Sequence, residues 1–143
     1  MTANEILHYY SGRLPAIIDS IREIVDIESP SLDAERSRDV VNWVEGSFRA
    51  TGVDLKFERE SCPDGDHLVI RAFPSEGKHT MLLGHTDTVH PVGTNELNPT
   101  RIEGDKFYGC GIFDMKANII LMVEAFRFLN DHGLKPARPI SIF

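Results

Sequence analysis

Two short stretches carry residues whose types and spacing can do chemistry. The first is His85-Thr-Asp87, which follows Gly84 at the end of the apolar run Thr80-Met-Leu-Leu. A strand repeats its facing every two residues, so His85 and Asp87 can point the same way. An imidazole there can offer one ring nitrogen to a metal. A nearby carboxylate can accept a hydrogen bond from the other nitrogen and fix the tautomer. The competing reading is a polar strand end with a satisfied histidine. The second stretch is Gly109-Cys-Gly-Ile-Phe-Asp-Met-Lys116. Its glycines permit a tight turn. Asp114 falls where a helical pattern starts, a place that favours a carboxylate and where an ordinary N-cap is the alternative. A dinucleotide loop G-x-G-x-x-G would need glycine at position 114, and a pyrophosphate would meet that carboxylate instead. Together the stretches supply one imidazole and one carboxylate able to bridge two cations, the donor types of a two-metal hydrolytic site.

The elements that must position these residues are legible as patterns. Ile6, Leu7, Tyr10, Leu14, Ile17, Ile18, Ile21 and Ile24 recur at helical steps, with a kink or break expected at Pro15. Glu28-Ser-Pro-Ser reads as a turn. A second helix is expected from about Ala34 to Ala50, stopped by Gly52. Strands are expected at Val53–Glu58, His67–Phe73 and Thr80–Gly84, the last covered on both faces. A polar loop spans His90–Asp105, followed by a short strand at Lys106–Tyr108. A helix is expected from Asp114 to about His132, and a last strand at Arg138–Phe143. Helices alternating with apolar strands indicate an α/β protein, expected as a three-layer sandwich with a mixed, largely parallel sheet. In such sheets ligands sit at the strands' C-terminal ends. His67 and His79 are expected at the surface or at strand edges, and His132 in a last helical turn. His90 is expected as a loop residue, Trp43 in the core, and Lys116 as a solvated helix residue.

Composition narrows the function. The chain has 143 residues, 41% apolar, with 15 Lys+Arg against 22 Asp+Glu for a net charge of −7. The acidic balance argues against nucleic-acid binding and against docking on anionic membranes. No apolar run approaches a bilayer span. No basic region followed by an apolar one opens the chain, and two cysteines without such a signal indicate a reduced, cytoplasmic protein, with a Cys62–Cys110 disulfide still open.

Met81-Leu-Leu-Gly-His-Thr-Asp-Thr-Val and Gly104-Asp-Lys-Phe-Tyr-Gly-Cys-Gly-Ile-Phe-Asp-Met-Lys116 resemble the dinuclear zinc peptidase and deacylase family. Its members include acetylornithine deacetylases, succinyl-diaminopimelate desuccinylases, aminoacylases and bacterial glutamate carboxypeptidases. His90-Pro-Val-Gly and Arg101-Ile-Glu-Gly-Asp-Lys look most like the glutamate carboxypeptidase branch. The resemblance covers the whole chain and implies two divalent metal ions, zinc with cobalt or manganese as alternatives. It implies that His85 binds one metal, that Asp114 bridges both, and that Asp87 orients His85 as part of the catalytic group. The chain departs from the family at Ala117-Asn118, where two glycines are common, and at Cys110, read as a tolerated small residue rather than a thiolate ligand. The family's Glu-Glu pair, which holds the general base, follows a strand like Pro139–Phe143, and further ligands and a dimerisation domain come later still. Residues 1–143 are therefore expected to be the N-terminal portion of a catalytic domain, inactive alone because two ligands cannot hold two zinc ions. The substrate implied is a small peptide or N-acyl amino acid, and the full-length protein is expected as a homodimer. The rival expectation is a non-catalytic α/β domain with a structural or partner-binding role.

Overall fold

The computed structural model describes all 143 residues. Helix α1 spans Ala3–Asp26, opened by a capping box in which Thr2 and Glu5 exchange hydrogen bonds. It runs through Pro15 without the expected break. Its fully buried residues, Ile17, Ile24 and Val25, lie in the second half; in the first half Tyr9 and Tyr10 pack on Phe128 while Leu7 and Leu14 stay exposed. Helix α2 spans Ala34–Arg49 and is capped by the Asp33 carboxylate, which accepts from the Arg36 amide. Strands β1 (Leu55–Cys62) and β2 (Gly65–Ala72) form a hairpin closed by Pro63-Asp64, with Cys62 opposite Gly65. Strand β3 (Thr80–Leu82) follows, then the short helix α3 (Thr94–Leu97). Strands β4 (Arg101–Glu103) and β5 (Lys106–Tyr108) pair as a separate ribbon. Helix α4 (Ala117–Asp131) and strand β6 (Ile140–Ile142) complete the chain.

The main sheet has the order β1-β2-β6-β3 and is mixed, as expected. Its parallel share is smaller than expected. β2 pairs antiparallel with both β1 and β6, and only β3 runs parallel to β6. The physical reason is the β1–β2 hairpin, whose two-residue turn forces antiparallel pairing.

One core cluster draws Ile17 and Ile24 from α1, Val40, Val44 and Phe48 from α2, and Ile119, Ile120, Val123 and Phe126 from α4. These meet Ile70 and Ala72 of β2 and Ile142 of β6. The three long helices α1, α2 and α4 all contribute to this one core. On the sheet's other face Met81 is 65% exposed, which corrects the expectation that β3 is covered on both sides. Trp43 packs against the core as expected. No helix is long and apolar enough to cross a membrane, and Cys62 and Cys110 are both free.

A buried charge ties α1 to α4. Glu124 is almost fully buried and accepts two hydrogen bonds from Arg13 and one from Arg127. Glu124→Ala removes the shared anion, leaving Arg13 without its ion pair and Arg127 with only the Ala50 carbonyl. The expected loss is about 2–3 kcal/mol of stability, read from urea denaturation.

Candidate metal centre

The ladder between β3 and β6 continues past the named strands. The Phe143 amide donates to the Leu82 carbonyl at 3.0 Å, and the Gly84 amide to the Phe143 carbonyl at 2.8 Å. Backbone pairing thus reaches the residue before His85. Beyond it the chain is no longer a strand, so the two-residue alternation is not what places Asp87. The stretch after α1 does that. The Thr88 amide donates to the Ser29 carbonyl, the Ser31 amide to the Thr88 carbonyl, and Pro30 bridges Thr88 in parallel. Ser29 Oγ donates to the Thr86 carbonyl, and Ser31 Oγ donates to Asp87 Oδ2. Glu28-Ser-Pro-Ser was legible only as a turn; its bonding to a segment far along the chain has no signal in the sequence pattern.

Asp114 does not open a helix. Residues Ile112–Lys116 form an irregular wide turn, with Asp114 at φ −123° and ψ 86°, and α4 starts only at Ala117. Its carboxylate caps no amide, which removes the ordinary N-cap reading. Gly111 sits at φ +72°, a region that favours glycine, and a β-carbon there would lie 2.6 Å from Thr88 Cγ2. Such close approach brings the two chemical stretches together. Asn118, at a position where the resembling family commonly has glycine, is exposed.

The three site residues meet at one place. His85 Nε2 lies 3.0 Å from Asp114 Oδ1. His85 Nδ1 lies 3.1 Å from the Asp87 carbonyl and 3.2 Å from Asp87 Oδ1. Partial burial pulls the imidazole towards neutrality, but the bonds to Asp114 and Asp87 outweigh it and hold His85 above its ordinary 6.5. His85 Nε2 and Asp114 Oδ1 thus stand at hydrogen-bond distance with room for one proton between them, and both are metal donors. Two donors on one tetrahedral zinc, each about 2.1 Å from it, lie about 3.4 Å apart. The observed pair fits a divalent cation in place of that proton. The fit is partial. No group of three or more His, Cys, Asp or Glu side chains is arranged to hold a metal. The side chains of His85 and Asp114 are 45% and 80% exposed, so the site is an open edge.

Other residues sort around it. Lys116 is not solvated as expected but 1% exposed, and its Nζ donates to the Ile24 carbonyl at 3.1 Å and the Ile27 carbonyl at 2.6 Å. Burial pushes its ammonium down to about 8, against the pull of Cys110, Glu28 and Asp26. Cys110 is buried and touches Asn98 Nδ2, away from His85. His90 borders a small recess with Glu28, Asn95 and Lys116. His79 bonds Ser141 Oγ and lines a larger recess with Asp54, Lys56 and Arg71, which His85, Asp87 and Asp114 do not touch.

Glu28 anchors the polar loop. Its carboxylate accepts from the amides of Gly93 and Asn95 at 2.8 and 2.9 Å. The Asn95 and Gly93 amides hold the carboxyl below its ordinary 4.5. A lowered carboxyl pKa stabilises the fold above the unfolded value, and that contribution disappears as the pH falls through the folded value. Glu28→Gln is therefore expected to speed hydrogen exchange at the Gly93 and Asn95 amides at pH 7 and to weaken the wild type's pH dependence below 4.5.

Residues 81–143 match the sequence profile of peptidase family M20/M25/M40. Along nearly its whole length the chain also resembles carboxypeptidase G2 of Pseudomonas sp. (strain RS-16), at 30% identity over 140 residues, 97% of this chain. Residues 81–143, which include His85, Asp87 and Asp114, thus carry the sequence pattern of this peptidase family. Succinyl-diaminopimelate desuccinylase of Corynebacterium glutamicum is 29% identical over 76% of the chain. Human carnosine dipeptidase 1 shares the fold with a TM-score of 0.77 at 17% identity, over 97% of this chain and 33% of that one. The chain spans 34% of the length of carboxypeptidase G2 and 27% of the desuccinylase.

Proposed function

We propose that this chain is the N-terminal portion of the catalytic domain of a metal-dependent hydrolase that cleaves amide bonds of small peptides or N-acyl amino acids. The observation that carries the reading is the 3.0 Å approach of His85 Nε2 to Asp114 Oδ1, two metal-donor groups from separate loops. His85 would hold one divalent ion and Asp114 would bridge it to a second, zinc being the ion that suits an N/O donor set. Metals held there would polarise the substrate carbonyl and supply an activated water. Asp87 keeps the His85 ring in place through Nδ1, which leaves Nε2 for the metal. The remaining donors and the general base would come from residues other than these 143, a reading supported by the third of carboxypeptidase G2 that the chain spans. The chain alone is then inactive, and the full-length protein is cytoplasmic and homodimeric. The names of the relatives, a carboxypeptidase and a desuccinylase, favour a substrate with a free carboxylate.

The test is zinc titration by calorimetry and hydrolysis of a panel of N-acyl amino acids and dipeptides, on full-length wild type and on His85→Ala. Zinc uptake and chelator-sensitive hydrolysis in the wild type, both lost in His85→Ala, are expected. Equal zinc uptake by the two proteins removes His85 from the metal role. A wild type that takes up no zinc and hydrolyses nothing in the panel overturns the reading in favour of a non-catalytic domain.

A further inference from the structure

The turn that carries Asp114 is closed by wide backbone bonds of its own, from the Lys116 amide to the Gly111 carbonyl and from the Ala117 amide to the Ile112 carbonyl. It is irregular at Asp114 and Met115, and the Asp114 carboxylate has one polar partner, His85. Two neighbours hold it from outside. Met115 rests on Gly84, where a β-carbon would lie 3.6 Å from Met115 Cε. Lys116 reaches in the other direction, to the end of α1.

That end of α1 needs a cation. The last carbonyls of a helix have no partner within it and carry the negative end of its dipole. No basic residue stands in the last turn of α1. Lys116 Nζ, from far along the chain, bonds the carbonyls of Ile24 in that turn and of the C-cap Ile27. The segment directly after Ile27 is the one whose Ser29 and Ser31 hold Thr86 and Asp87. The end of α1 is therefore bonded to both chemical loops, by Lys116 on the Asp114 side and by the two serines on the His85 side.

A buried ammonium is a costly way to fill space, since an apolar side chain of similar length would pack there without desolvating a charge. What the ammonium adds is direction: it fixes two carbonyls at hydrogen-bond distance. We propose that Lys116 is a positioning residue for the metal site: its ammonium clamps the carbonyl end of α1 to the turn that carries Asp114, and so fixes the Asp114 carboxylate against His85. The proposal rests on the metal-site reading above. Lys116 touches neither metal nor substrate and acts through Asp114.

The test compares zinc affinity in the full-length protein for wild type, Lys116→Met and Val44→Ala, each at a temperature where it is folded by circular dichroism. Val44 lies in the core on α2 and serves as a destabilised control with an intact clamp. Lys116→Met is expected to bind zinc about tenfold or more weakly than Val44→Ala, as outer partners of metal ligands do when removed, and a smaller difference overturns the proposal. If Lys116→Met does not fold, Lys116→Gln is measured in its place, since its amide can still donate to one carbonyl; it is held to the same comparison. Failure of both to fold assigns Lys116 to the fold rather than to the site and also overturns the proposal. If the wild type takes up no zinc, the metal-site reading falls, and this inference with it.

Discussion

Asp114→Asn is expected to abolish zinc bridging and to leave the fold intact. Asparagine matches aspartate in shape but offers one neutral oxygen where the carboxylate offers two charged ones. A neutral amide cannot balance two divalent ions, so the second ion is lost first. Lewis-acid stabilisation by a metal contributes several kcal/mol; losing about 4 kcal/mol slows hydrolysis roughly a thousandfold. The fold should not notice. The Asp114 side chain is 80% exposed and bonds only His85, so the change in stability is expected within about 0.5 kcal/mol. Zinc stoichiometry, turnover on the best substrate of the panel, and thermal unfolding separate the two effects. Full stoichiometry with unchanged turnover would remove Asp114 from the site. A fall in melting temperature with unchanged zinc uptake would make it a structural residue.

Residue type and spacing make His85, Asp87 and Asp114 candidates in the sequence, and the residues that hold them carry no such signal. A chemical residue advertises itself by type: an imidazole and a carboxylate on opposite sides of glycine-rich turns are unusual as a pair. The helices were legible for a different reason, because Val40, Val44 and Phe48 or Ile119, Val123 and Phe126 repeat with the helical period. Lys116 and Ser31 have neither kind of signal. A lysine near a helix start is ordinarily solvated, and nothing local says that its amine reaches the end of α1. The start of α4 was misplaced for a related reason. Asp114 has the residue type of an N-cap, yet tertiary contacts at Gly84, Thr88 and Ile27 hold the turn open and delay the helix to Ala117. Sheet direction also escapes the apolar pattern, since alternation along β1 and β2 is the same whether they pair parallel or, as the turn at Pro63-Asp64 makes them, antiparallel.

The largest effect on stability is expected at Phe126. Its ring is 2% exposed on α4 and stands edge-on to Phe48 of α2, with centroids 5.5 Å apart, and 5.8 Å from the ring of Phe73. Phe126→Ala removes the aromatic contact that joins two helices and opens a cavity that neighbouring rings cannot fill. Such truncations cost about 3–5 kcal/mol, much of the 5–15 kcal/mol typical of a domain. The damage should reach the metal site through the chain, because α4 begins directly after the turn that carries Asp114. Metal binds only the folded state, so zinc at a hundredfold excess over its dissociation constant restores about 2.7 kcal/mol. Full-length Phe126→Ala is therefore expected to unfold at much lower urea than wild type without zinc, and to recover a large part of the difference with it. Phe126→Ala combined with Asp114→Asn should show the same loss and a much smaller recovery. Equal recovery in the single and double variants would place the zinc somewhere other than beside His85, because the core defect is identical in both and only the bridging carboxylate differs.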